Sequence, residues 1–204
     1  MVINKIKFPV DDKCFHKDIH PKEQILIGDS LRKDSNHLIR LQTNGIFSNV
    51  KNWNHYTISR NGEIFEHFDP MFTSDYYGKI EIDKISISIV MENMGALYYD
   101  IENNHFSNWV GEVCPKVDVF EKQYKIIKYW ENYSDEQYTS LAWLINHLSN
   151  TFNISLENNA VNSIYDDVDV SSYGYACKGN YSKEYNELNP SFDFERLETL
   201  INEK

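Results

Sequence analysis

Cysteine is scarce in this chain of 204 residues. Cys14, Cys114 and Cys177 are odd in number and include no CxxC pair, which excludes a disulfide framework and points to free buried thiols or a reducing compartment. Glycine and proline are few as well, 8 and 5, so long flexible linkers are not expected. Basic residues number 20 against 31 acidic ones, a formal charge of −11 at pH 7. They are scattered, with no run longer than a pair. The basic face that phosphate neutralisation requires is therefore missing, and no nucleic-acid partner is expected. No stretch approaches ~18 consecutive apolar residues, which excludes a helical membrane span. The opening Met1-Val2-Ile3-Asn4-Lys5-Ile6-Lys7-Phe8-Pro9 has too short an apolar run for a secretory signal, so cytoplasmic synthesis without autonomous export is the expectation.

What is present suffices for a core: 41% of the residues are hydrophobic and 14% aromatic. Residues 1–23 mix charged, Pro and His residues without periodicity and read as an N-terminal arm. Residues 24–204 read as one domain. Glu23-Gln24-Ile25-Leu26-Ile27 is a short apolar run that reads as a buried strand ended by Gly28-Asp29-Ser30. Ser35 is placed to cap a short helix through Leu41. His55–Arg60 and Glu63–His67 flank Asn61-Gly62 and predict a hairpin in which both turn residues take positive φ. Ile85–Met91 alternates apolar with small polar residues and then turns apolar, as a central strand would. A second hairpin is expected from Leu97–Asp100 and Phe106–Trp109.

A long helix is expected to start at Ser134-Asp135-Glu136-Gln137, a capping box. Tyr138, Leu141, Ala142, Ile145, Leu148 and Phe152 then recur at helical spacing. Residues 155–188 are polar and tyrosine-rich and read as loop with one short strand near Tyr173–Cys177. Pro190-Ser191 is expected to open a final helix with Phe194, Leu197, Leu200 and Ile201 inward. Strands first, then a long helix and a closing helix, predict a mixed α/β domain: a central β-sheet flanked by helices.

Six segments, in this order, resemble the type-2 N-acetylmuramoyl-L-alanine amidases, the family of phage endolysins and peptidoglycan-recognition proteins. Ile25-Leu26-Ile27 sits where the family has an apolar strand ending in a His pair. Ser48–Ile64 is similar to its "SAHYVIDRDGTI" hairpin, Phe68-Asp69-Pro70 to its "FDP", and Lys84–Ile89 to its "SIGIE". Tyr129–Gln137 resembles the start of its long helix, and Asn189–Glu195 its C-terminal "DPSPAFDF".

The resemblance implies a catalytic zinc held by two His and one Asp or Cys, with an open fourth position for water. Carried over position by position, the first His falls at Gly28, which has no ligand atom. The neighbouring Asp29 reaches that side only if the strand has ended, since adjacent strand side chains oppose each other. The second His falls at or beside Cys177 or Lys178. The third ligand falls among Glu187, Leu188 and Asn189, where the aspartate is absent. The family's "SIGIE" glutamate falls at Val90, a site His near Tyr76, and a tyrosine before the hairpin at Asn54. His55 is expected to pack at the hairpin rather than bind metal. What is left is at best an Asp29/Cys177/Glu187 set, anionic and closed.

The resemblance therefore implies an amidase fold without the zinc site and with no cofactor: a catalytically inactive module that binds a peptidoglycan fragment. Its groove would be lined by Asn54, His55, Tyr76, Tyr77, Tyr173 and Tyr175, tyrosines being good sugar and peptide contacts. A module that binds another protein, of a virion or of the host, is also open, with virion association suggested by the likeness to phage lysins. The alternative is a zinc-dependent N-acetylmuramoyl-L-alanine amidase, a cell-wall lysin with non-standard ligands.

Overall fold

The computed structural model describes residues 1–5, 15–33, 53–159, 174–181 and 188–203. The first half supplies β1 (Ile3–Lys5), β2 (His16–Ile19), β3 (Gln24–Asp29), β4 (Tyr56–Ile58), β5 (Ile64–Glu66) and β6 (Phe72–Thr73). A short helix, α1 (Ile80–Ile85), leads into β7 (Ser86–Met91). Next come β8 (Ala96–Asp100), β9 (His105–Ser107), β10 (Val113–Cys114), β11 (Val119–Tyr124) and β12 (Ile127–Glu131). The chain closes with α2 (Asp135–Phe152), β13 (Gly174–Cys177) and α3 (Phe194–Asn202).

Six strands form the central sheet in the order β1-β5-β4-β7-β3-β13. β4, β7, β3 and β13 run parallel, while β5 pairs antiparallel with β4 and parallel with β1. Strands β3 and β7 are buried along their whole length, as strands covered on both faces must be. Ile25, Ile27, Ile87, Ile89 and Met91 point to one face, where they meet Leu141, Leu144, Ile145 and Leu148 of α2 and Leu197 and Ile201 of α3. Each fully buried aliphatic side chain of this kind contributes about 1.5–3 kcal/mol.

The serines of β7 point the other way and serve as polar fasteners. Ser86 Oγ donates to the side chain of Gln24 and to the carbonyl of Ile82, and Ser88 meets His55. That use explains why β7 alternates Ile with Ser although both faces are buried.

The capping box of α2 is formed as expected, Gln137 N–H donating to Ser134 Oγ and the Gln137 side chain accepting from Ser134 N–H. Asn153 ends the helix in the left-handed region. The Asn61-Gly62 hairpin is present, but only Gly62 takes positive φ, at 80°. Its N–H donates to the Ser59 carbonyl, so the loop is a β-turn closed by a glycine bulge rather than a two-residue turn. The second hairpin also forms, β8 with β9, and Asn104 carries its positive φ.

Three segments differ from the sequence reading. Residues 1–23 contain β1 on the sheet edge and β2 paired with β6, and Phe15 stacks on Phe68 with ring centres 4.6 Å apart. Short strands of mixed polarity leave no period to read. Residues 96–131 form a separate antiparallel sheet, β10-β9-β8-β12-β11, around Met94, Leu97 and Cys114. Tyr129–Glu131 therefore ends a strand, and the long helix starts only at Asp135. The last helix starts at Phe194 with Asp193 as its cap, three residues beyond Ser191. The helix expected after Ser35 lies outside the described residues.

Candidate functional site

Gly28 and Cys177 stand near the carboxyl ends of neighbouring parallel strands, where ligands bind in open α/β sheets. Strand alternation sends Ile27 and its partner Cys177 to the helix-covered face and Gly28 and Lys178 to the opposite one. Two side chains fill the space above Gly28. A Cβ there would collide with Tyr76 Oη, and would lie 3.3 Å from Tyr76 Cζ and 3.6 Å from Lys178 Cβ. The Lys178 ammonium lies 4.4 Å from the centre of the Tyr76 ring, a cation–π contact. Glycine is required here by close approach, not by its backbone angles.

The loop carrying Tyr76 is held from below by α1. The carboxylate of Asp83, fully buried, accepts the N–H groups of Tyr77 at 2.9 Å and Gly78 at 2.8 Å. Burial pushes this carboxyl up to about 6, against the two N–H bonds and the nearby Lys178 charge, which pull it down. On the other side, Lys178 opens a single turn, Lys178–Asn180, and Asn180 Oδ1 accepts the Cys177 N–H at 2.8 Å. Tyr181 follows, tilted against Tyr77 with ring centres 5.4 Å apart and bonded to the Gln24 side chain.

The remaining candidates are dispersed. β3 continues through Asp29, which faces the helices and receives the Tyr133 hydroxyl at 2.7 and 2.8 Å from its two oxygens. Cys177 and Tyr175 are packed in the core under α2. Asn189 is buried, its Nδ2 donating to Asn93 Oδ1 at 2.9 Å and its Oδ1 accepting from Ser191 N–H and Oγ. Asn54 Nδ2 donates to the Tyr56 carbonyl and Thr57 Oγ1. Tyr77 is buried beside the Tyr76 loop. Glu187 and Tyr173 lie outside the described residues.

His55 is fully buried and held at both nitrogens. Nδ1 accepts the Ser88 N–H at 2.9 Å, which leaves Nε2 to donate to the Phe72 carbonyl at 3.0 Å. Burial, reinforced by the Lys22 charge, pushes it down to about 3. Sequence reasoning passed over a second histidine, His67, whose Nε2 meets Thr57 Oγ1 at 2.8 Å and which burial also pushes down to about 3. Both rings stay neutral and act as internal struts.

A zinc at this position needs three converging His, Cys or carboxylate donors. At the expected ligand positions the described residues present a glycine, a lysine ammonium beside it and Asn189, whose amide is taken up by Asn93 and Ser191, while Glu187 lies outside the described residues. A fixed ammonium repels a dication. No three His, Cys, Asp or Glu side chains converge among the described residues. Among the described residues, the donors at this position do not fit zinc.

The mixed sheet backed by α2 and α3, with its candidate site at the carboxyl ends of β3 and β13, defines an amidase-type α/β domain. The sequence profile described as N-acetylmuramoyl-L-alanine amidase matches residues 20–184, and the chain belongs to that family. No curated protein sequence matches it. Its fold is similar to the catalytic domain of XlyA, with TM-score 0.58 at 14% identity over 98% of this chain and 99% of that one. The N-acetylmuramoyl-L-alanine amidase LysC from Clostridium intestinale gives 0.55 at 13% identity, over 100% and 99%. AmiD from E. coli, solved in complex with anhydro-N-acetylmuramic acid-L-Ala-D-γ-Glu-L-Lys, gives 0.57 at 12% identity, over 91% of this chain and 59% of that one. At these identities the likeness carries the fold alone.

Proposed function

We propose that this chain is a non-catalytic member of its family that binds a peptidoglycan fragment at the carboxyl ends of β3 and β13. One observation carries the reading: the Tyr76 hydroxyl and the Lys178 side chain fill the space over Gly28. Amide hydrolysis of this type depends on a Lewis acid to polarise the carbonyl and activate water. The residues here offer a monovalent ammonium and a phenol instead. They suit recognition, because a fixed cation beside an aromatic ring accepts a carboxylate or carbonyl of a peptide stem. AmiD, a relative in fold, was solved with a muramyl peptide bound, which supports the same ligand class here.

A protein partner is the second reading. The turns of the small sheet leave Val117 and Ile126 almost fully exposed, at 87% and 95%, and such apolar tips suit a protein surface better than a polar glycan.

Incubation of the purified protein with isolated sacculi separates these readings. Co-sedimentation without release of muropeptides, in protein that carries no stoichiometric zinc, is the expected result. Muropeptide release by zinc-loaded protein overturns the non-catalytic reading. Absence from the sacculus pellet favours the protein partner.

A further inference from the structure

Trp109 is the one tryptophan of the chain held out in solvent. Trp53 and Trp130 are buried and Trp143 is half-buried and stacked on His147, whereas Trp109 is 62% exposed. Its exposure is built, not incidental. Asn108, itself buried, accepts the N–H groups of Val110 and Glu112 and donates from Nδ2 to Glu112 Oε2 at 2.7 Å and to the Leu31 carbonyl. Glu112 Oε2 in turn accepts the Lys33 N–H at 2.8 Å, and Gly111 turns the chain with φ 83°. The 108–112 turn is thereby fastened to the segment leaving β3.

On that segment stands Arg32, its guanidinium 4.8 Å from the centre of the Trp109 ring. Arg32 makes no ion pair, and the indole N–H no hydrogen bond, among the described residues. Arg32 is four positions after Gly28, so their Cα atoms lie at most about 14 Å apart. An indole whose rim donors are unpaired among the described residues is thus fastened to the segment that leaves the candidate site at Gly28.

We propose that Trp109 and Arg32 form a sugar-stacking subsite for a glycan strand of N-acetylhexosamines. The axial C–H groups of a pyranose face pack on an indole face, where dispersion and the negative π-cloud both favour them. The indole N–H and the outer guanidinium N–H groups donate to ring hydroxyls and acetamido carbonyls. The turn that carries the ring is fastened by polar groups, Asn108 to Glu112 and Glu112 to the Lys33 N–H, with Arg32 against the ring face, which suits a hydroxylated ligand better than an apolar protein core. The choice of glycan rests on the peptidoglycan reading of the neighbouring groove.

The test is titration of the purified protein with tetra-N-acetylchitotetraose, followed by tryptophan emission, beside sacculus co-sedimentation of wild type, Trp109→Ala and Arg32→Ala. The expected result is a saturable emission change in wild type that Trp109→Ala loses, with unaltered far-UV circular dichroism. Retention of Trp109→Ala on sacculi falls at least ~tenfold, the scale of an interface anchor, and Arg32→Ala falls less. A flat titration overturns the subsite, and so does wild-type retention that Trp109→Ala matches, which leaves the groove reading intact. Wild type that ignores sacculi yet titrates through Trp109 upholds the subsite and removes the groove reading. A bound protein lost on Trp109→Ala, with no response to oligosaccharide, overturns the subsite in favour of protein docking.

Discussion

Lys178 holds its ammonium 4.4 Å from the centre of the Tyr76 ring, and the Tyr76 hydroxyl stands where a side chain on Gly28 would begin. The three residues form one packed unit from three separate stretches of chain. Its consequence is steric as well as electrostatic: a side chain at Gly28 has no room, and the Lys178 ammonium puts a positive charge beside it.

The steric half is open to a double-mutant cycle. Gly28→Ala places a Cβ against Tyr76 Oη, and overpacking of this kind costs about 1–3 kcal/mol. In a Tyr76→Phe background the colliding oxygen is gone and the nearest ring carbon is 3.3 Å away, so most of that cost disappears. Urea denaturation of the four proteins reads the coupling directly. An equal penalty in both backgrounds would show that Tyr76 does not fill this space.

Metal dependence follows from the same unit. Because the described donors at Gly28 and Lys178 do not fit zinc, dialysis against EDTA is expected to leave the thermal midpoint where it was. A tightly held ion would instead raise the midpoint of the loaded protein through RT ln(1 + [L]/Kd). A drop of several degrees on chelation, restored by zinc, contradicts this account of the site.

Acid stability depends on His55 and His67. Both are pushed down from 6.5 to about 3 by burial, so the unfolded chain binds their protons first as the pH falls. Their contribution is complete above 6.5 and is lost progressively towards 3, on the order of 10 kcal/mol for the pair over the whole interval. Asp83 works in the opposite sense, since its folded value is raised to about 6. The stability it adds is present below 3.8 and lost as the pH rises through 6, which offsets part of the histidine loss. The net expectation is a urea midpoint that falls between pH 6.5 and 4, with a flatter limb in His67→Gln. A midpoint constant across that interval would mean that the histidines are not buried neutral.

Arg60 ties the first hairpin to the small sheet. Its guanidinium meets Glu131 at 3.0 Å, Asp118 at 3.2 Å and the Asn132 carbonyl at 2.8 Å, and Glu131 is only 2% exposed. Removing one partner of a buried pair leaves an uncompensated charge, so Arg60→Ala is expected to cost about 3–5 kcal/mol. Adding Glu131→Gln to Arg60→Ala should recover part of the loss, as measured by denaturation. Additive penalties would show the pair to be uncoupled.

Much of the fold is legible in the chain because its causes are local. The runs of β3 and β7, the Gly62 turn, the Ser134–Gln137 capping box and the helical stripe from Tyr138 to Phe152 each rest on residues within a few positions of one another. Of the small sheet, the β8–β9 hairpin was legible and the β11–β12 half was not. β11 and β12 carry charged residues on exposed positions, among them Glu121, Lys122 and Lys128, which breaks the alternation that marks a strand. They join the sheet through β12 pairing with the central strand β8, a partner some 30 residues away in the chain.

By itself the sequence determined that no imidazole stands at position 28 and that the frame around it is an amidase-type α/β domain. Only the tertiary structure decided what stands there instead. Asp29 and Cys177 turn under the helices because strand alternation denies them the face of Gly28, while Tyr76 and Lys178 meet over that glycine from loops 48 and 150 residues further along. Which side chains share a face, and which distant loop fills a gap, is settled by packing across the sheet, and packing of that range leaves no periodic mark in the chain.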